Sequence, residues 1–67
     1  MIDMIQAGTF WWYKGVQYRV QAVHPDLLSQ DARGQWVPTV TYQIPHEPHR
    51  SFARPVTEFA EKFGPKT

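Results

Sequence analysis

Three histidines are the side chains best suited to metal chemistry in this sequence of 67 residues. His46 and His49 are separated by two residues, and together with His24 they could supply three imidazole ligands to a zinc ion. The pair lies in a segment that carries Pro45 and Pro48, so no helix presets its geometry, and the chain has no cysteine to complete the ligand set. We therefore expect surface histidines, with no metal site and no cofactor.

The acidic residues do not form a recognisable catalytic pattern. Glu58 and Glu61 fall on a predicted helix, whereas Asp26 and Asp31 fall in a predicted loop. Paired carboxylates do acid–base work only when their environments separate their pKa values, and nothing in the sequence buries these groups in a cleft. Since nucleophile motifs, phosphate-binding glycine loops and triad spacings are also missing, we expect a protein that is not an enzyme.

Length and composition indicate one small domain with an aromatic core. A chain of this length holds one domain, and without cysteine it has no disulfide to stabilise it. Ten aromatic residues can stabilise the domain in place of disulfides, because each buries roughly 150–250 Å² when packed. The net charge is only +1, whereas nucleic-acid-binding domains usually carry a clear basic excess. No signal peptide or membrane span is visible, so we expect a cytoplasmic protein that makes no membrane contact.

The first half of the chain is predicted to contain a β-hairpin. Residues 9–13 are almost all aromatic, which is typical of a strand, and residues 16–23 alternate between apolar and polar types. Lys14 and Gly15 between them suit a tight turn, because glycine accepts positive φ values. Pro25 is expected to end the second strand.

The remaining elements are predicted to follow in a simple order. Residues 24–35 are rich in turn-forming types and are expected to form a loop, with room for one helical turn at residues 25–29. Two further strands are expected at residues 36–44 and 50–54. A short helix is expected at residues 56–63, capped by Thr57 and ended by Gly64 and Pro65.

These elements predict a mainly β fold, a small SH3-like, partly open barrel of four to five antiparallel strands with a short C-terminal helix. Residues 1–6 are expected to be a flexible arm or an edge strand, and residues 65–67 a tail. Residues 7–64 then form the single β domain.

Three short blocks of the sequence resemble a bacterial and phage family, domain of unknown function 1653. The blocks are residues 11–20, with Tyr13-Lys14-Gly15 at their centre, residues 38–42 and residues 52–59. Their order and approximate spacing agree with the family pattern over residues 8–63. The resemblance implies a fold and, because the function of that family is not established, no activity.

The chain departs from the family pattern at two places. Trp12 occupies the position where the family usually has a histidine before Tyr-Lys-Gly. An acidic stretch that usually precedes the central strand is replaced by residues 32–37, which carry no acid. If those family residues form a shared site, this protein lacks it.

Two sets of residues have both a functional and a structural interpretation. Trp11 and Tyr13 would face outward if their strand neighbours turned inward, and would then form a stacking platform beside Arg19 and Arg50; alternatively, a second layer covers them. Arg54 could anchor a partner or, as we favour, could stack on aromatic rings and bind Glu58.

The sequence therefore favours a non-enzymatic small binding module, a regulatory accessory protein that binds another protein and is of bacterial or phage type. Its predicted binding residues are Trp11, Tyr13, Arg19, Arg50 and Arg54. The alternative is single-stranded nucleic-acid binding through the same aromatic and basic sheet face. We expect a monomer or a weak homodimer.

Overall fold

The computed structural model describes residues 2–65, which form one sheet and one helix. The strands β1 to β4 pair in chain order and are all antiparallel, so the sheet is continuous and curls into a half-barrel. The helix α1 packs against β3 and β4. The elements are β1 (Phe10–Tyr13), β2 (Val16–Gln30), β3 (Trp36–Gln43), β4 (Ser51–Pro55) and α1 (Val56–Lys62). The predicted mainly β fold with a short C-terminal helix is confirmed.

The β1–β2 hairpin forms where the sequence predicts it. Lys14 and Gly15 both have positive φ values, of 51° and 78°, which is the backbone of the tight turn that matches the twist of antiparallel strands. Trp11 pairs with Tyr18, and Phe10 pairs with Arg19. Because neighbours on a strand point to opposite faces, these two pairs lie on opposite faces of the sheet.

The predicted loop at residues 24–35 is wrong over its first half, because β2 continues to Gln30. His24 pairs with Thr39 and Leu28 pairs with Pro38, so residues 25–27 bulge out of the ladder between them. A bulge tolerates Pro25, which has no N–H to donate. The helical turn expected at residues 25–29 is therefore absent, and the turn itself is confined to residues 31–35.

The first described residues, 2–5, belong to the folded domain. Residues Ile2–Met4 form a single 3-10 turn, and the Ile5 side chain that follows is buried in the core. The expectation of a flexible arm or an edge strand at residues 1–6 is wrong over the described part. Residues 2–4 form a helical turn instead, and the buried Ile5 side chain attaches this segment to the core. Residues 66 and 67 of the predicted tail lie outside the described residues.

Backbone hydrogen bonds join Gly64, which follows the helix, to strand β1. Trp12 donates its backbone N–H to the carbonyl of Gly64 at 2.8 Å, and Gly64 donates back to Trp12 at 2.9 Å. This bridge covers part of the outer edge of β1, where unpaired backbone groups would otherwise invite another strand. Within residues 2–65, the corresponding edge of β4 pairs with no strand.

The core is mainly aromatic and centres on the ring of Tyr42. The centroids of four other rings lie 5.2–5.6 Å from the Tyr42 centroid, those of Tyr18, Phe52, Phe59 and Phe63. These separations are typical of edge-to-face and offset-stacked pairs, which add stability beyond the area they bury. The helix supplies Phe59 and borders Phe63, so it fills the open side of the half-barrel.

Thr57 does not cap α1, contrary to the sequence prediction. The N-cap residue is Pro55, which makes no side-chain capping bond. The Thr57 hydroxyl instead donates to the Asp31 carboxylate at 3.0 Å. This bond ties the β2–β3 turn to the first turn of the helix.

We expect the substitution Phe59→Ala to destabilise the domain by about 3–5 kcal/mol, because Phe59 is fully buried and its loss leaves a cavity. The matched control is Phe10→Ala, since the Phe10 side chain is 45% exposed and its loss should cost less than about 1 kcal/mol. Chemical denaturation followed by circular dichroism measures both. Equal losses in the two variants would contradict the packing described.

Candidate functional site

The predicted outward orientation of Trp11 is wrong. Trp11 is 2% exposed, and its ring meets Phe59 edge to face with centroids 5.9 Å apart. Its indole N–H donates to the Thr9 hydroxyl at 2.9 Å. Trp11 therefore presents no surface to a partner. We expect the substitution Trp11→Ala to destabilise the domain, whereas the same substitution at an exposed position would weaken only the binding of a partner.

Tyr13 shares the inner side of β1 with Trp11. Its ring stacks on Phe63 at a centroid distance of 4.9 Å and is half-buried. Arg54 lies over the same ring at 5.6 Å. Since Phe63 and Arg54 cover Tyr13, the structure does not provide the predicted platform of Trp11 and Tyr13.

Arg54 joins the sheet to the helix, as in the structural interpretation that the sequence favoured. Its Nε donates to the Tyr42 hydroxyl at 2.8 Å, and its Nη1 donates to the Glu58 carboxylate at 2.8 Å. Its guanidinium also lies 5.6 Å from the Phe63 ring centroid. The planar, multi-donor shape of the guanidinium suits these simultaneous contacts.

This arrangement shifts the pKa values of both partners. Burial raises the pKa of the Tyr42 phenol, although the hydrogen bond from Arg54 opposes the change. Burial alone would lower the pKa of Arg54, but the hydrogen bond to the Tyr42 hydroxyl and the charge of Glu58 raise it overall. The phenol therefore stays neutral and the guanidinium stays charged at neutral pH, which preserves the contact.

Arg19 and Arg50 are the two predicted site residues that remain exposed. Arg19 lies in register with Phe10 on the outer face of the sheet, the side turned away from α1. Arg50 precedes β4, 3.6 Å from Glu47 and over the Phe52 ring. Arg19 and Arg54 lie on opposite faces, because Arg19 pairs with Gln43 and Arg54 pairs with Val40. The predicted residues thus do not form one site.

A separate apolar surface lies at the far end of the β2–β3 hairpin, and the sequence analysis did not assign it to binding. We define the hairpin-end surface as Leu28 and Trp36, which are 49% and 64% exposed. Leu28 pairs with Pro38 and Trp36 pairs with Gln30, so Leu28 and Trp36 are diagonal neighbours across two strands. Trp36 lies on the same side of β3 as Val40 and Tyr42, but those two side chains are buried whereas Trp36 is exposed.

The turn that carries the hairpin-end surface is held firmly. Asp31 Oδ1 accepts the backbone N–H groups of Arg33 and Gln35 at 2.9 and 3.0 Å, and Oδ2 accepts the Thr57 hydroxyl. The hydrogen bond from Gln35 is the main reason that the pKa of Asp31 is lowered. Trp36 directly follows this turn, so the hydrogen bonds to Asp31 fix the backbone that precedes it.

The remaining features are a groove beside the helix and the histidine and carboxylate side chains. A groove of about 200 Å³ separates the β2–β3 turn from α1 and is smaller than the roughly 300–1,000 Å³ of typical ligand pockets. His24 contacts the Thr41 hydroxyl at 3.0 Å. Among residues 2–65, no three histidine or carboxylate side chains are grouped so that they could hold a metal ion. In the same range, no helix is long and apolar enough to cross a membrane.

Comparison with known proteins adds no relative to this description. No family model, no curated protein and no solved structure matches the chain. Membership in the domain of unknown function 1653 family stays a prediction that depends on the three sequence blocks.

We expect Arg54→Met to destabilise the domain by about 1–3 kcal/mol, because it leaves the buried Tyr42 hydroxyl without its donor. The matched control is Arg50→Met, which removes an exposed ion pair and should cost less than about 1 kcal/mol. Urea denaturation at neutral pH measures both free energies of unfolding. Equal, small losses would show that Arg54 does not join the sheet to the helix.

Proposed function

We propose that this protein is a non-enzymatic interaction module that binds another protein through the hairpin-end surface. The observation that carries the proposal is the exposure of Trp36 beside the exposed Leu28. Trp11 is buried and Trp12 is half-buried, whereas Trp36 is exposed to solvent. Large apolar side chains grouped on a surface are typical of protein contact sites.

The chemistry of Trp36 suits a binding anchor. Tryptophan is among the residue types enriched at the energetic centre of protein interfaces, because it buries a large area with few rotatable bonds. The Asp31 turn fixes the backbone before Trp36, which lowers the entropy lost on binding. We propose further that the protein acts in the cytoplasm as a monomer or weak homodimer, in line with its sequence.

The free edge of β4 offers a second route for the same kind of partner. It pairs with no strand among residues 2–65, and an extended peptide could add to it by main-chain hydrogen bonds. However, Pro55 stands at the end of this short strand, and proline on an edge discourages strand addition. We therefore place the main contact at the hairpin end.

The test compares three forms of the tagged full chain as baits in nuclease-treated native lysate: wild type, Trp36→Ala and Phe10→Ala. We expect a protein that the wild type and Phe10→Ala retain and that Trp36→Ala loses. Phe10→Ala is the matched control, because it also removes one exposed aromatic side chain. Calorimetry with the purified partner should then show affinity at least about 30-fold weaker for Trp36→Ala.

Two results would contradict this proposal. Equal retention by all three baits would remove the hairpin-end surface from the contact. The absence of any retained protein with the wild type would argue against a protein partner altogether.

A further inference from the structure

The far end of the β2–β3 hairpin extends beyond the four-stranded part of the sheet. Strand β1 pairs with residues 16–19 of β2, and β4 pairs with residues 39–43 of β3. Among residues 2–65, the segment 28–38, which we call the hairpin arm, pairs with no third strand. None of its side chains is buried. Because a two-stranded ribbon is marginally stable by itself, the position of the arm depends on its other contacts.

The ladder between β2 and β3 is weakest where the arm joins the sheet. Residues 25–27 bulge out of the ladder and have no partner on β3. Pro25 and Pro38 stand at this place on the two strands, and neither has an N–H to donate to the other strand. The Thr39 hydroxyl donates to the Ser29 hydroxyl at 2.8 Å, but this bond lies beside the bulge and can persist while the arm turns. Hinges are short segments of this kind, which absorb changes in φ and ψ.

Two polar contacts connect the arm to α1. The Thr57 hydroxyl donates to the Asp31 carboxylate at 3.0 Å, and the Arg33 guanidinium lies 3.6 Å from the Glu61 carboxylate. Both side chains of the ion pair are exposed, so it contributes little, whereas hydrogen bonds to charged groups are among the stronger ones. The Thr57–Asp31 hydrogen bond is therefore the main polar link between the arm and the helix.

The boundary between the arm and the helix is not a packed apolar interface. A groove of about 200 Å³ separates the turn from α1, and most of the side chains that line it are charged or polar. Val37 of the arm packs against the core, but it is only half-buried. Turning the arm away from α1 would thus expose little apolar surface, so this motion needs much less free energy than global unfolding.

The turn of the arm can move as one body, because its hydrogen bonds are internal to it. Asp31 Oδ1 accepts the backbone N–H groups of Arg33 and Gln35. Asp31 in turn donates its own backbone N–H to the Gln35 carbonyl at 2.8 Å. None of these bonds reaches α1, so breaking the bond from Thr57 would release the arm without melting the turn.

We propose that the hairpin arm is a hinged element, which bends at residues 25–27 and which the Thr57–Asp31 hydrogen bond latches to the helix. In the latched state the arm lies beside α1, and in the open state it turns away as a rigid hairpin. The arm carries Leu28 and Trp36, so the latch sets the position of the hairpin-end surface relative to the helix. The hinge does not rest on the assignment of that surface to binding, so either proposal can fail without the other.

The test is NMR relaxation dispersion of the backbone amides of the full chain, which detects motion on the microsecond-to-millisecond timescale. Wild type is compared with Thr57→Val, which keeps the branched shape but removes the donor, and with the matched control Thr57→Ser, which keeps the hydroxyl. We expect the open population to rise roughly fivefold or more in Thr57→Val. The rise should appear as dispersion or shifted resonances confined to residues 25–38 and the first turn of α1. Thr57→Ser should resemble the wild type.

Hydrogen exchange separates motion at a hinge from local melting. The Asp31 amide is bonded within the arm, so it should keep its wild-type exchange rate in Thr57→Val. Three results would overturn the proposal: arm amides that behave alike in Thr57→Val and Thr57→Ser, dispersion that is equally strong in β1 and β4, or faster exchange of the Asp31 amide in Thr57→Val.

Discussion

The packing of aromatic rings around Tyr42 is the interaction on which the rest of the structure depends. A domain of this length without disulfides has few other means of stabilising a core. Tyr42 contacts rings from β2, β4 and the helical end of the chain, so its position fixes the curl of the sheet and the place of α1. Arg54 completes the arrangement, because it donates a hydrogen bond to the Tyr42 hydroxyl.

This use of the aromatic residues decides which aromatic side chains stay exposed. Trp11 and Tyr13 are taken into the core or covered, and Arg54 is committed to the helix. Phe10 and Trp36 remain, at the outer face and the hairpin end respectively. The two residues are far apart in the pairing of the sheet, so the exposed aromatic side chains do not form one surface.

The elements with a single clear pattern could be predicted from the sequence. The β1–β2 hairpin follows from Lys14 and Gly15 in the turn, and α1 follows from the spacing of Val56, Phe59 and Phe63. The bulge in β2 could not be predicted, because a proline can either end a strand or lie in a bulge. Which of the two occurs at Pro25 depends on whether β3 also pairs with the residues that follow it. The N-terminal turn was also missed, since Ile5 belongs to no repeating pattern.

The candidate site was harder to predict than the fold. In residues 10–13 every side chain is aromatic, so alternation cannot tell which pair faces the core. Orientation is set by partners distant in sequence, Phe59 for Trp11 and Phe63 for Tyr13. The structural role of Arg54 was foreseen because Glu58 lies four residues later. The exposure of Trp36 was not foreseen, because its strand alternates as a buried strand would.

Hydroxyl-radical footprinting of the native chain, read residue by residue by mass spectrometry, tests the central claim most directly. All three residues compared are tryptophans, so their relative modification rates report exposure with the same intrinsic chemistry. The structure predicts that Trp36 is modified fastest, Trp12 more slowly and Trp11 slowest. Modification of Trp11 as fast as Trp36 would contradict both the aromatic core and the exposure of the hairpin-end surface.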